Sequence, residues 1–162
     1  MTEIAQRLYG MDIQKADTDA KSSIPEMFRV SAAQEAKRIH CQIEGYKKTP
    51  LVRLSGLASR LGVKEIFVKN EAERFGLNAF KGLGGSYAMF CILCQELGLN
   101  PGEANLSDLK TEAAQAQIRK MVFVTATDGN HGRGVAWAGG IFGCQVHSTS
   151  ELLRTLLMCG CF

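Results

Sequence analysis

Proline is scarce in this sequence, 3 residues in 162, and neither an internal repeat nor a low-complexity tract is present. One globular domain, or one piece of a larger one, is therefore the expectation. Runs of a single charge are also missing: 19 Lys and Arg against 16 Asp and Glu leave a net +3 with no basic stripe. That balance speaks against nucleic acid or an anionic membrane as a partner. The longest charge-free apolar stretch, residues 134–146, falls far short of the roughly 20 residues a spanning helix needs. The first twenty residues have no apolar core of a secretion signal, and Glu3, Asp12, Asp17 and Asp19 oppose an organellar transit peptide, so a cytoplasmic address is expected. No metal-ligand spacing appears either. Cys91 and Cys94 lack a second ligand pair, and all six cysteines (Cys41, Cys91, Cys94, Cys144, Cys159 and Cys161) read as reduced core thiols. The histidines His40 and His131 do not by themselves establish a metal.

What is present is an ordinary globular mixture, 46% hydrophobic and 22% charged, with 17 glycines that gather at particular places. Residues 1–22 are polar and weakly periodic and read as an arm. The S-x-x-E spacing from Ser23 to Glu26 has the form of a capping box, and Phe28, Ala32, Ala36, Ile39 and Ile43 recur at helical intervals, which predicts a helix over 24–44. A short extended piece over 51–54 and a brief helix capped by Ser55 and stopped by Gly62 follow. Residues 65–69 alternate as a strand, 70–78 form a charged loop, and 81–97 begin with glycines and turn strongly apolar, as a helix does whose first turn approaches something closely. A turn at 100–102 leads to a polar helix over 107–120. Residues 121–125 read as a buried, parallel strand, and helical spacing resumes over 130–142 after a glycine turn. Strand, turn and helix in alternation place the chain in the α/β class.

Two constellations can carry chemistry. Lys81 follows a loop and opens a glycine-rich helix, where the positive helix end and partial burial disfavour its ammonium and favour the free amine that Schiff-base chemistry needs. An exposed lysine in a glycine loop is the plainer alternative. The phosphate-loop spacing is absent around it. The second constellation, Thr127-Asp128-Gly129-Asn130-His131, lies between the strand and the next helix, where unpaired backbone N–H groups can hold a carboxylate or phosphate. Asp128 is a candidate general base there, or simply a helix cap. Trp137 is read as core or subunit contact, and the cysteine fourth from the end as a chance match to a prenylation signal.

The strings TPLVRLSGLA, NAFKGLGGSYA and TDGNHGRGVAWA, in that order, resemble the N-terminal part of the pyridoxal-phosphate enzymes of fold type II, the tryptophan synthase β group. Within that group the wording FGLNAFK and TDGNHGRGVAWA is most similar to the diaminopropionate ammonia-lyases. The resemblance implies a parallel-sheet, three-layer architecture, incomplete at its C-terminal side. It implies a catalytic region over residues 23–146 and a tail, 147–162, outside the family pattern.

Carried over by residue, the resemblance makes Lys81 the covalent anchor of pyridoxal 5'-phosphate and gives Asn130 the cofactor's phenolic oxygen. Phe80 packs close to that link. Thr127, Asp128, Gly129, Asn130 and His131 hold the carboxylate of a small amino acid substrate, and Lys81 with Asp128 are the catalytic bases. The activity implied is carbon–nitrogen lysis, β-elimination of 2,3-diaminopropionate to pyruvate and ammonia, with a homodimer in the full-length family. A serine or threonine dehydratase of the same group and a catalytically silent truncated protein are the alternatives.

Overall fold

The computed structural model describes residues 25, 28–127 and 129–148. The arm at 1–22, the capping box of Ser23 and Glu26, Asp128 and most of the tail at 147–162, with Cys159 and Cys161, lie outside the described residues. The first α-helix among the described residues, α1 (Val30–His40), is shorter than the 24–44 expected from periodicity. It stops because the Gln42 side-chain amide donates to the Arg38 carbonyl that the next backbone N–H of a continuing helix would take, while the N–H of Gln42 turns back to Ile39. Gly45, at φ 78°, completes the turn.

Strand β1 (Leu51–Arg53) pairs with β2 (Phe67–Lys69) in antiparallel register, Val52 opposite Val68, around the connecting helix α2 (Ser55–Leu61). Ser55 is the first helical residue rather than the cap. Leu54 takes that place without a side-chain bond, and Gly62 ends the helix at φ 66° as expected. The loop at 70–78 winds into a kinked 3-10 turn (Glu71–Gly76), started by the Asn70 side chain accepting from Ala72 N–H.

Helix α3 (Lys81–Glu96) spans the glycine-rich and apolar segment almost as its pattern predicts. The single polar helix expected over 107–120 is two helices, α4 (Leu106–Leu109) and α5 (Glu112–Ile118). Thr111 separates them: its hydroxyl accepts from Ala114 N–H as a new N-cap and donates to Asp108 O. Strand β3 (Val122–Thr125), helix α6 (Asn130–Phe142) and strand β4 (Gln145–Ser148) form a β-α-β unit whose strands pair in parallel, Phe123 opposite Val146.

The structure is thus α/β, with a short antiparallel pair and a short parallel pair among the described residues. Strand β3 is parallel as expected but not buried. Phe123 packs on the core while Val122 and Val124 are 49% and 61% exposed, since helices cover one face only.

The core lies between α3 and α6. Phe90, Leu93 and Cys94 of α3 pack with Val135, Ala138 and Phe142 of α6, closed by Ile39 of α1 and by Leu106, Leu109 and Ile118. Arg38 ties α1 to the turn at 100–104, beyond α3, by donating to the carbonyls of Pro101, Gly102 and Ala104. The four described cysteines are free. Cys94 is buried and Cys91 and Cys144 are half-buried, but Cys41 is exposed, since it caps α1 on its outer side. Burial pushes the Cys94 thiol up to about 11, as suits an inert core sulfur.

Candidate active site

Missing side chains bring the two constellations together. A Cβ added at Gly134 would stand 2.9 Å from the Gly82 nitrogen and 3.0 Å from the Lys81 carbonyl carbon, so helix α6 runs directly against the backbone of the first turn of α3. At Gly85, one turn on, an added Cβ would lie 3.5 Å from Val135 Cγ2 and 3.7 Å from the Gly134 carbonyl carbon, in ordinary van der Waals contact. Lys81 opens α3 and Asn130 opens α6, so both helix N-termini lie at one end of this crossing. Their unpaired first-turn N–H groups and macrodipoles make that end favourable to an anion.

Around this crossing the expected site residues are placed as follows. Phe80 caps α3 and is 57% exposed, and the Lys81 amine sits 5.1 Å from the centre of its ring. The Lys81 side chain is exposed rather than partly buried, and the Phe80 ring beside it is exposed as well. Thr127 accepts from Gly129 N–H at 3.3 Å, folding the turn that leads into α6. Gly129 caps that helix, and Asn130 and His131 stand exposed on its first turn. Asp128 lies outside the described residues. Among the described residues no group of three metal-ligating side chains occurs.

Several residues of this region were given no role by the sequence, although Thr49 and Phe75 lie in the strings that carry the resemblance. Arg74, 5% exposed, grips both oxygens of Glu71 (2.7 and 3.1 Å), donates to the Lys47 carbonyl at 2.7 Å and to the Thr49 hydroxyl at 3.1 Å, and lies over the Tyr46 ring. Glu71 is only three residues away, but the contacts to Lys47 and Thr49 cross more than 20 residues of sequence, which no local pattern reveals. Thr49 and Lys69 complete the cluster: Lys69 donates to the Thr49 carbonyl at 2.6 Å, and the Thr49 hydroxyl bonds Glu71. The Arg74 hydrogen bonds, helped by those of Thr49 and Lys69, hold the Glu71 carboxyl down at about 2 against the cost of its partial burial.

Phe75 follows at φ 51°, a left-handed conformation that costs a bulky residue about 1–2 kcal/mol. Its ring stacks on Trp137 of α6 at 4.4 Å. His40, buried at the end of α1, donates from Nε2 to Leu83 O in the first turn of α3 at 2.9 Å, and burial lowers its imidazole below the ordinary histidine value.

The sequence pattern of a pyridoxal-phosphate dependent enzyme matches residues 43–150, which contain the whole crossing. The chain belongs to that family. Its similarity to a diaminopropionate ammonia-lyase of Escherichia coli (strain K12) is 49% identity over 112 residues, 69% of this chain and 27% of the relative. The chain therefore spans about a quarter of the length of the curated relatives it matches.

Among solved structures, Escherichia coli diaminopropionate ammonia-lyase in complex with D-serine superposes with a TM-score of 0.68 at 46% identity, over 76% of this chain and 30% of that one. The same enzyme in complex with an aminoacrylate–PLP azomethine reaction intermediate superposes with a TM-score of 0.62 at 43% identity, over 76% and 29%. The pyridoxal-phosphate family thus accounts for the fold, and the incomplete α/β architecture corresponds to the portion of those chains that is matched. No helix among the described residues is long and apolar enough to cross a membrane.

Proposed function

We propose that this chain carries the lysine-bearing portion of a carbon–nitrogen lyase that takes pyridoxal 5'-phosphate and acts on 2,3-diaminopropionate, giving pyruvate and two ammonia with uptake of one water. The observation that carries this reading is the Gly82–Gly134 contact, where α6 meets the backbone of the first turn of α3 and so sets the Lys81 helix start beside the Asn130 turn. The residues present fit the cofactor: an accessible primary amine, an aromatic ring beside it, and two helix N-termini suited to anions. When bound, the cofactor supplies an electron sink for negative charge at the substrate α-carbon. Lys81 would be its covalent anchor and then a base, Asn130 would meet its phenolic oxygen, and Phe80 would pack close to the link. Thr127, Gly129, Asn130 and His131 hold the substrate carboxylate through the turn. Asp128, by its place in the sequence, serves as the second base. A cytoplasmic address and a homodimer are parts of the same proposal.

The span of 27% of its relatives' length favours a second reading, in which this chain alone binds but does not turn over. One experiment bears on both. The purified chain is mixed with pyridoxal phosphate, the visible absorption band recorded, the adduct reduced with borohydride and its position mapped. A dominant adduct at Lys81, lost in Lys81→Ala, is the expected result; label spread evenly over the surface lysines would sink the cofactor assignment. Ammonia release from diaminopropionate, against serine and threonine, then separates the lyase from a dehydratase and from the silent protein.

A further inference from the structure

Lys81 is exposed, so its placement depends on what fixes the chain on either side of it. After it, the Gly82 backbone is clamped between two groups. A Cβ there would meet Leu77 Cδ1 at 2.7 Å and the Trp137 ring at 3.3 Å. Before it, the chain passes through three left-handed residues, Phe75 at φ 51°, Gly76 at φ 69° and Asn78 at φ 55°. An asparagine takes that conformation readily, whereas a phenylalanine does so only when its surroundings hold it there. Two contacts do so: Arg74, pinned to Glu71, Lys47 O and Thr49, and the Trp137 ring against which Phe75 stacks. Trp137 therefore packs against Phe75 and closes the space beside Gly82, and it belongs to the helix that begins at Asn130.

We propose that Phe75, anchored by Arg74, is a positioning residue for Lys81: its stack on Trp137 sets the register between the lysine's loop and the helix of the Asn130 turn. The role assigned to Lys81 rests on the function proposed above, but the register itself does not. Trp137 is the only tryptophan of the chain and so reports the stack directly.

The test compares the unmutated chain with Phe75→Leu, Phe75→Gly and Phe75→Tyr. Three things are read: Trp137 emission, amide hydrogen exchange over residues 77–83, and the share of borohydride-fixed pyridoxal phosphate found at Lys81. Phe75→Gly relieves the left-handed strain while deleting the ring, so it remains informative where Phe75→Leu fails to fold. In the two ring-deleted variants Trp137 emission is expected to shift, exchange over 77–83 to rise about threefold to tenfold, the factor expected for loss of one aromatic pair, and the Lys81 share to fall, with exchange over 89–94 unchanged. Phe75→Tyr is expected to restore all three.

Unchanged exchange over 77–83 in Phe75→Gly overturns the proposal whatever the labelling shows, and so does a retained Lys81 share despite faster exchange. Faster exchange with no preference for Lys81 even in the unmutated chain upholds the register and instead overturns the cofactor assignment.

Discussion

Two regions fix the approach to Lys81, and they do so by opposite means. At the crossing of α3 and α6 the position is held by atoms that are missing, with Gly134 letting backbone meet backbone and Gly82 making room for Leu77 and Trp137. In the loop ahead of Lys81 it is held by atoms that are present: the Arg74 fork, the Glu71 carboxylate and the Phe75 ring. The first arrangement tolerates almost no addition of volume, and the second no removal of a partner. A glycine-lined contact has nothing to ionise, while a charged one responds to acid.

That contrast can be broken most sharply inside α6 itself. Gly134→Ala places a Cβ at 2.9–3.1 Å from backbone atoms that cannot swing aside, and it is expected to destabilise by about 2–3 kcal/mol even though alanine is the better helix former. Gly140→Ala, in the same helix with nothing within 4 Å, should stabilise by up to about 1 kcal/mol. Denaturant unfolding of the pair checks both, and equal shifts of one sign would mean that the helices do not touch at Gly134.

In the loop, Arg74→Met leaves the Glu71 carboxylate and the Lys47 carbonyl short of a partner and is expected to cost about 2 kcal/mol in the same measurement. A melt indistinguishable from the unmutated chain would make the fork ornamental.

Acid separates the regions further. The folded-state value of Glu71 lies below its unfolded one, so its contribution is complete above about 4.5 and is lost as pH falls through about 2. Glu71→Gln should flatten stability over that interval. His40 is also held below its ordinary value, by burial, so its contribution is complete above 6.5 and declines as pH falls through its lower folded value. A His40→Gln chain whose stability fell as steeply as the parent's just below pH 6.5 would assign that decline to another group. The smallest effect is expected away from both regions: Val68→Thr, on a strand residue 43% exposed, should shift stability by less than about 0.5 kcal/mol.

Much of this was legible in the sequence, for local reasons. Helices α3 and α6 announce themselves because glycines, apolar periodicity and the stop at Gly143 act within a few residues. The two motifs were legible as separate anion- and amine-bearing helix starts. Their meeting was not, since it depends on Gly134 facing Gly82 across some fifty residues. Periodicity over 24–44 misled because the Gln42 side chain competes for a backbone acceptor, and the 107–120 helix divided because Thr111 caps a new one. Arg74 looked like one more charge in a charged loop, and only the tertiary fold makes it a buried fork.

The Gly134 contact also constrains how this sequence can change. A residue that fits by bulk has neighbours in sequence space on both sides, slightly larger and slightly smaller, through which drift can pass and return. Glycine has a neighbour on one side only, and here that side is closed by peptide atoms. Variation near the lysine is therefore channelled into the loop, where partners can be exchanged in pairs, while the crossing changes together or not at all.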